Sequence, residues 1–522
     1  MGGGKGLVYV QVMIRGILNI IIISLVLCPV KATAQKCVTM SELKDMVKSG
    51  VARLDEDICV EGICISYYKA KNLETNVNES YTSTPTTANG RTMYIQNPDG
   101  SMGMGLHFIS SKLTDYPQYS FLRINLKGAE LRLNGGIGLS AYGLGEGSVL
   151  VSEQRSKEAL TVKDKRICEL NENDVYTYVR LKDCECVFKD GAYGNIYEKY
   201  AVKSSVNSDC KPFGTMDTWS SLLCDSNGDA INMLVNSATP WRRSGIGVQQ
   251  GAFDVEGIIV KTDLPRYGNE NLSTYQIRPL RAEDLDSVSD ESRWKTLCLW
   301  DWNGNESDFS PSHGDATLVC TVPGAVTSRA SEANNPAVIS HKDHPDKDGL
   351  RSNGALSIKA SVASWWDWNE DKGNGLYITF STKNIVADKA YIAFSFSGGK
   401  LLDAENSADF PSYWIVEYTL DGITWHKADD RTATMRAMIW KSTKPINGLT
   451  YPLSSEVAMG FTEHMFTFPE NISGRSSVIV RIVPASKHLS TYSYHHSASR
   501  ANRPGYTKEC FVNFGSIMIR YR

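Results

Sequence analysis

The chain has 522 residues, 22% of them charged and 42% hydrophobic, with a formal charge of −3 at pH 7. That length exceeds one ordinary core and implies about three domains. The slightly acidic balance argues against a polyanion as the main partner, because binders of nucleic acid concentrate Lys and Arg on the binding unit.

At the N-terminus, Lys5, Arg15 and Lys31 are the only charged residues among the first 34. Ile17 to Leu27 is an apolar run broken only by Asn19 and Ser24, too short to span a bilayer comfortably. Ala32-Thr33-Ala34 then gives the small-x-small pattern of a signal-peptidase site, so residues 1–34 are expected to leave as a signal peptide. Met13 is an alternative start to Met1. Lipidation at Cys28 is the rival to cleavage before Gln35, and Leu27 disfavours it. No later stretch reaches about 18 uninterrupted apolar residues, so no transmembrane helix is expected. The mature protein is expected in the periplasm, at the cell surface or outside the cell. Losing three cations takes its charge from −3 to −6.

Twelve cysteines become 11 once Cys28 is removed, an odd number that leaves at least one thiol unpaired. Cys184 and Cys186, two apart on an expected strand, share a face and are poorly placed to bond each other. Buried free thiols are the preferred reading.

Thr39 to Gly50 carries the clearest helix signal. Thr39 and Glu42 form a capping box, Leu43, Met46 and Val47 share a face, and Gly50 ends the element. Beyond it, short apolar or alternating runs such as Ile58–Ser66, Thr92–Gln96, Phe121–Leu126 and Val255–Lys261 are separated by Gly, Asn, Asp and Pro turns. Tyr67 to Arg91 is polar and reads as a loop.

Two echoes suggest a duplication. Val60-Glu61-Gly62-Ile63 returns as Val255-Glu256-Gly257-Ile258, and "NPDGSMGMGL" at 97–106 returns as "DSNGDAINMLV" at 225–235. Glycine within a strand allows the coiling that closes a small barrel. Two β-barrels are expected, within units at 37–150 and 151–286. The polar run 283–293 reads as a hinge, with 287–295 as a linker. From there the composition changes: nine of 11 tryptophans fall between Trp294 and Trp440. Strands expected at Leu376–Phe380, Tyr391–Phe396, Tyr413–Thr419 and Ser477–Val483 make 296–522 a two-sheet sandwich.

"TMSELKDMVKSGVARLDEDICVEGICIS", "YIQNPDGSMGMGLHF" and "GAFDVEGIIVKTD", with "STYQIRPLRAEDLD", resemble the tandem OB-like (oligonucleotide/oligosaccharide-binding-like) domain of exported Bacteroidetes proteins of unknown function. "STKNI", "YWIVEYTLDGITW", "VIVRIVPA" and "VNFGSIMIRYR" resemble the jelly-roll sandwich that often follows it, itself similar to discoidin-like and carbohydrate-binding modules. The resemblance implies an all-β chain: two small OB-like β-barrels with a short N-terminal helix, then a C-terminal jelly-roll β-sandwich. For function it is an analogy.

Catalytic signatures are absent: there is no Gly-x-Ser-x-Gly, His-Glu-x-x-His, P-loop or Gly-x-Gly-x-x-Gly. An unrecognised hydrolase with hidden acids is one alternative, and nucleic-acid binding by the OB-like half is another, opposed by its charge and its two tryptophans, Trp219 and Trp241. His341, Asp343, His344, Asp346 and Asp348 are the densest possible metal ligands but read as a solvated loop. No cofactor is expected, and calcium in the sandwich is left open.

"WDWN" occurs at Trp300–Asn303 and again at Trp366–Asn369. The first copy continues a strand on which Cys298, Trp300 and Trp302 share a face, a core pattern. The second lies in a polar loop, where rings could stack on sugar C–H faces while Asp and Asn bond hydroxyls. Trp365, Trp366, Asp367, Trp368 and Asn369 are therefore the glycan-binding candidates, joined by Tyr494, His495 and Arg500 from the loop at 490–506. The expected protein is a non-catalytic binding or adhesion protein whose partner is a glycan or a cell surface.

Overall fold

The computed structural model describes residues 35–73, 90–110, 115–189, 193, 211–212, 218–236, 239–243, 248–261, 273–302, 309–330, 355–367, 372–400, 411, 413–429, 433–434, 438–442, 455–459, 462–484 and 509–522. Among these, one α-helix accompanies six sheets, so the chain is all-β as expected.

The first unit begins with β1 (Lys36–Cys37), parallel to β2 (Ile58–Cys64), and a Cys37–Cys59 disulfide joins the paired positions. Helix α1 (Met40–Lys48) sits between them in sequence. Its capping box is formed: Glu42 N–H donates to Thr39 Oγ1 at 3.1 Å, and Thr39 N–H donates to the Glu42 carboxylate at 2.7 Å. Met40 and Leu43 anchor its inner face, and Gly50 follows at φ +98°.

Six strands complete the unit: β3 (Thr92–Gln96), β4 (Gly103–Phe108), β5 (Phe121–Asn125), β6 (Glu130–Asn134), β7 (Gly138–Leu144) and β8 (Val149–Glu153). Pairing runs β2–β3–β4–β7–β6, and β5, which continues along the chain into β6, returns to β2. Only β4–β7 in that path is parallel. Alternation sends Met93, Ile95, Met104, Leu106, Leu139 and Ala141 into the interior.

The second unit repeats the plan. Its strands are β9 (Lys163–Lys165), β10 (Tyr178–Cys186), β11 (Lys211–Pro212), β12 (Thr218–Asp225), β13 (Ala230–Asn236), β14 (Ala252–Val260), β15 (Gln276–Arg278) and β16 (Leu285–Ser289). Here β10–β12–β13–β15–β14 closes on β10 as a five-strand barrel with β13–β15 parallel. In both units a short parallel strand leads (β1, β9) and an antiparallel strand trails (β8, β16). The Asn/Asp-Gly echo occupies equivalent turns, β3–β4 and β12–β13. The Val-Glu-Gly-Ile echo does not, since one copy lies on β2, the first ring strand, and the other on β14, the fourth. What those two glycines share is a tight neighbour: a Cβ on Gly62 would lie 3.1 Å from Gln96 O, and one on Gly257 2.7 Å from Arg278 O.

The third unit is an antiparallel sandwich. Its strands are β17 (Lys295–Trp300), β18 (Ala316–Cys320), β19 (Val326–Ala330), β20 (Ala355–Ser361), β21 (Trp366–Asp367), β22 (Lys372–Gly373), β23 (Leu376–Phe380) and β24 (Ala390–Lys400). They continue as β25 (Tyr413–Thr419), β26 (His426–Lys427), β27 (Ala433–Thr434), β28 (Met438–Ser442), β29 (Ser455–Met459), β30 (Thr462–Thr467), β31 (Val478–Pro484) and β32 (Glu509–Tyr521). One sheet runs β19–β20–β32–β24–β30 with β17 on β32; the other runs β18–β23–β31–β25–β26 with β27 on β25. A smaller sheet runs β11–β28–β29. Trp300, Trp365, Trp414, Phe394, Phe396 and Phe514 fill the space between the two large sheets.

The first "WDWN" is core material, by a different route from strand alternation. Cys298 and Trp300 are buried on β17, whereas Trp302 lies past the strand end at φ +59° and turns back half-buried onto the same core, its indole N–H donating to Gly515 O.

The three units dock on one another. Ile63, Ile65 and Tyr94 of the first barrel share a buried cluster with Tyr176, Tyr178 and Val179 of the second, and Tyr178 N–H donates to Gln96 Oε1 at 2.7 Å. Fully buried Asn72 donates to Leu234 O and Pro279 O and accepts from Asn236 N–H. The run 283–293, expected as a hinge, is instead built in. Its middle is β16, paired to β14, and its end is held by Glu185, which accepts from Ser292 Oγ and from Arg293 N–H. Polar sequence here reflects an edge strand whose Asp286, Ser287 and Val288 are all exposed, together with buried polar anchors.

Candidate functional site

On the β18–β23–β31–β25–β26 sheet, Leu318, Ile378, Val480 and Val416 point into the core, so their neighbours point outward. Strand register lines those neighbours into one row: Val319 opposite Tyr377, Tyr377 opposite Arg481, Arg481 opposite Glu417, and Glu417 opposite Lys427. Trp425 lies over the middle of it. Its ring meets Tyr377 edge-on at 5.9 Å, and the Arg481 guanidinium sits 4.1 Å from its centroid. Arg481 also grips Glu417 with Nε at 2.6 Å and Nη2 at 2.5 Å, a two-pronged contact, and reaches the Tyr377 hydroxyl with Nη1 at 3.4 Å.

The turn before Trp425 is fixed by one carboxylate. Asp421 accepts from Ile423 N–H at 2.8 Å, Thr424 N–H at 2.7 Å, and the hydroxyls of Thr419 and Thr424 at 2.9 Å each. These backbone bonds, helped by the hydroxyls, hold its carboxyl far below the usual range. Gly422 supplies the positive φ of +74° that the turn needs. The result is a preorganised aromatic surface: Trp425 and Tyr377 are half-buried, while Val319 and Ile423 beside them are 54% and 83% exposed. Such a surface can stack on an apolar ring face and bond its polar rim to Glu417, Tyr377 and Lys427.

The candidates from the second "WDWN" divide. Trp365 is not exposed. It is 1% accessible and meets Trp414 edge-on at 5.4 Å inside the core, because a one-turn helix at Val362–Trp365 swings its ring inward. Its indole N–H has no acceptor among the described residues. Trp366 and Asp367 form a two-residue strand paired with Lys372 and Gly373, held by Asn374, which donates to Trp365 O and Ser364 O. This hairpin lies on the end of β31, where a Cβ on Gly373 would come within 2.7 Å of Pro484. Trp368, Asn369, Tyr494, His495 and Arg500 lie outside the described residues, as do His341, Asp343, His344, Asp346 and Asp348. No group of three or more His, Cys, Asp or Glu is arranged to hold a metal ion among the described residues.

Sequence reasoning missed Tyr377, Glu417, Trp425 and Arg481. Two signals were present: Glu417 and Arg481 each interrupt an apolar strand at an outward position, and "LDGITW" ends a tight Asp-Gly turn on a tryptophan.

No family model matches the chain, and no curated protein matches it. Among solved structures, the CBM22-1 xylan-binding domain of Xyn10C from Paenibacillus barcinonensis aligns at 9% identity and a TM-score of 0.19, covering 44% of this chain and 94% of that domain. The K1 cleaved adhesin domain of Lys-gingipain from Porphyromonas gingivalis W83 aligns at 11% identity and a TM-score of 0.18, covering 40% of this chain and 99% of that domain. At those scores neither likeness carries an argument, and the description as barrels and a sandwich rests on strand order and register. No described helix is long and apolar enough to cross a membrane.

Proposed function

We propose that this is an exported, non-catalytic binding or adhesion protein that recognises glycan through its C-terminal sandwich. The row Tyr377–Arg481–Glu417 beneath Trp425 carries the reading: an outward aromatic surface, already rigid, flanked by hydroxyl, carboxylate and ammonium groups. Preorganisation matters because weak carbohydrate contacts leave little free energy for ordering side chains. Trp366, Asp367, Trp368, Asn369, Tyr494, His495 and Arg500, the candidates from the sequence, stay in the proposal as further glycan-binding residues of the same unit. A cell-surface partner belongs to the same proposal, which requires no cofactor.

Nucleic-acid binding by the OB-like half has less support, since the ring faces that would carry stacking aromatics are occupied by neighbouring units. A glycan array on the mature chain, followed by calorimetry on the best hit, tests the reading. Trp425→Ala and Tyr377→Ala should each weaken binding by about tenfold or more, as loss of one stacking platform implies roughly 1.4 kcal/mol or more. Parental affinity in both variants would place the site elsewhere.

A further inference from the structure

We infer that the two barrels and the sandwich form one mechanical body, in which each barrel commits its outer ring face to docking the next unit. An outside strand or oligosaccharide could therefore reach those faces only by undocking the units.

The first face is closed by a single segment. Tyr176 stacks obliquely on Tyr94 with centroids 4.9 Å apart, its hydroxyl accepts from Asn134, and its main chain lies so close to β4 that a Cβ on Gly103 would sit 1.8 Å from Tyr176 O. A Cβ on Gly138 would meet the Tyr176 ring at 2.7 Å. Two glycines on the ring face thus make room for this one tyrosine.

The second face is closed by the sandwich. Leu222 and Cys224 of β12, with Val187 and Phe188, share a buried cluster with Tyr391, Ala393, Met465 and Met518 from β24, β30 and β32. Trp294 plugs the middle, 1% exposed, edge-on to Tyr391 at 4.8 Å, with its indole N–H donating to Asp225 O.

Charge specifies this joint. Glu185 is 1% exposed and gathers Ser292, Arg293 N–H and Lys189; Glu463 is 2% exposed and accepts from Leu222 N–H at 3.2 Å; Arg520 is 6% exposed and donates to Ser292 Oγ and Trp294 O at 2.9 Å each. A buried charge with fitted partners tolerates no sliding of the docked faces, because a shift leaves it unpaired out of water. Backbone strain marks the same places. Of the five non-glycine residues at positive φ among the described residues, Lys71 adjoins the Asn72 clamp, Tyr176 fills the first face, and Asp183 pairs with Arg293 at the joint. Such conformations persist where the surroundings over-determine them.

The full mature chain tests this. Urea unfolding is followed by tryptophan fluorescence, which reports mainly the sandwich, and by labelling of Cys184 and Cys186, which reports the second barrel. Coincident midpoints, with resistance to trypsin at Arg293, are expected. In Glu185→Gln and Arg520→Met, cleavage at Arg293 should accelerate tenfold or more. Separate midpoints in the parent, ready cleavage of the native parent, or unchanged cleavage in both folded variants would each overturn the inference. Should a variant not fold, the parent's midpoints and cleavage decide alone.

Discussion

Trp365→Ala separates core from platform most sharply. The residue is 1% exposed and packs edge-on against Trp414, which meets Phe396 and Phe514 at 5.8 and 5.9 Å. Truncation therefore opens a cavity in the middle of an aromatic ladder, and a cost of about 3–5 kcal/mol follows. For a chain that melts as one body of this length each kcal/mol moves the melting midpoint by roughly 1 °C, so the variant should melt about 3–5 °C early. Trp365→Phe is the informative partner. It also removes the indole N–H that finds no acceptor among the described residues, and relieving an unsatisfied buried donor recovers about 1–3 kcal/mol against the lost ring volume. The phenylalanine variant should thus lie much nearer the parent than a volume argument alone gives. Calorimetry of parent, Trp365→Ala, Trp365→Phe and the surface variant Trp425→Ala makes the comparison. A Trp365→Ala melt within 2 °C of the parent, or one matching Trp425→Ala, would refute the burial reasoning.

Three further outcomes are expected. Removing the Cys37–Cys59 bond by double substitution to serine should cost about 3 kcal/mol, since it closes a loop of sequence separation 22, and denaturant titration reads the loss. In the native state a thiol reagent should modify exposed Cys168 quickly and leave Cys64, Cys184, Cys186, Cys224 and Cys298 untouched; burial pushes the Cys64 thiol up to about 11 and those of Cys224 and Cys298 up to about 12, and peptide mapping after timed labelling checks this. Burial opposes ionisation of Glu256, but Lys157 at 2.9 Å and Arg180 Nε at 3.0 Å outweigh it and hold the carboxyl below the usual range. Its stabilisation is therefore complete above the unfolded value of about 4.3 and disappears as pH falls through the lower folded value. Glu256→Gln should flatten the acid side of a stability–pH curve, and an unchanged acid slope would count against the network.

How much of this was legible in the sequence depends on the range of the interactions involved. The helix was readable because its start is a local device, Thr39 and Glu42 three residues apart. Thr92–Gln96, Leu376–Phe380 and Tyr413–Thr419 were readable to the residue because alternation and flanking turns are local too. Docking is not local. Polarity at 283–293 carries opposite meanings in a hinge and in a segment whose anchors are the buried groups of Glu185 and Arg520, and nothing near Ser292 announces partners more than 100 and more than 220 residues away.

The tryptophans show the same limit from the other side. A loop composition placed Trp365 among the glycan-binding candidates, yet a single turn of helix turns its ring into the sandwich. Meanwhile the row of Tyr377, Arg481 and Glu417 draws one residue from each of three strands that span about a hundred positions of chain, so only register could assemble it. Composition located the tryptophan-rich unit, and pairing decided which of its rings are available. A face built by register also has a consequence for evolution of the site. Substitutions at the outward positions of β23, β25 and β31 can retune a ligand without disturbing Ile378, Val416 and Val480 on the reverse, since alternate residues answer to different neighbours.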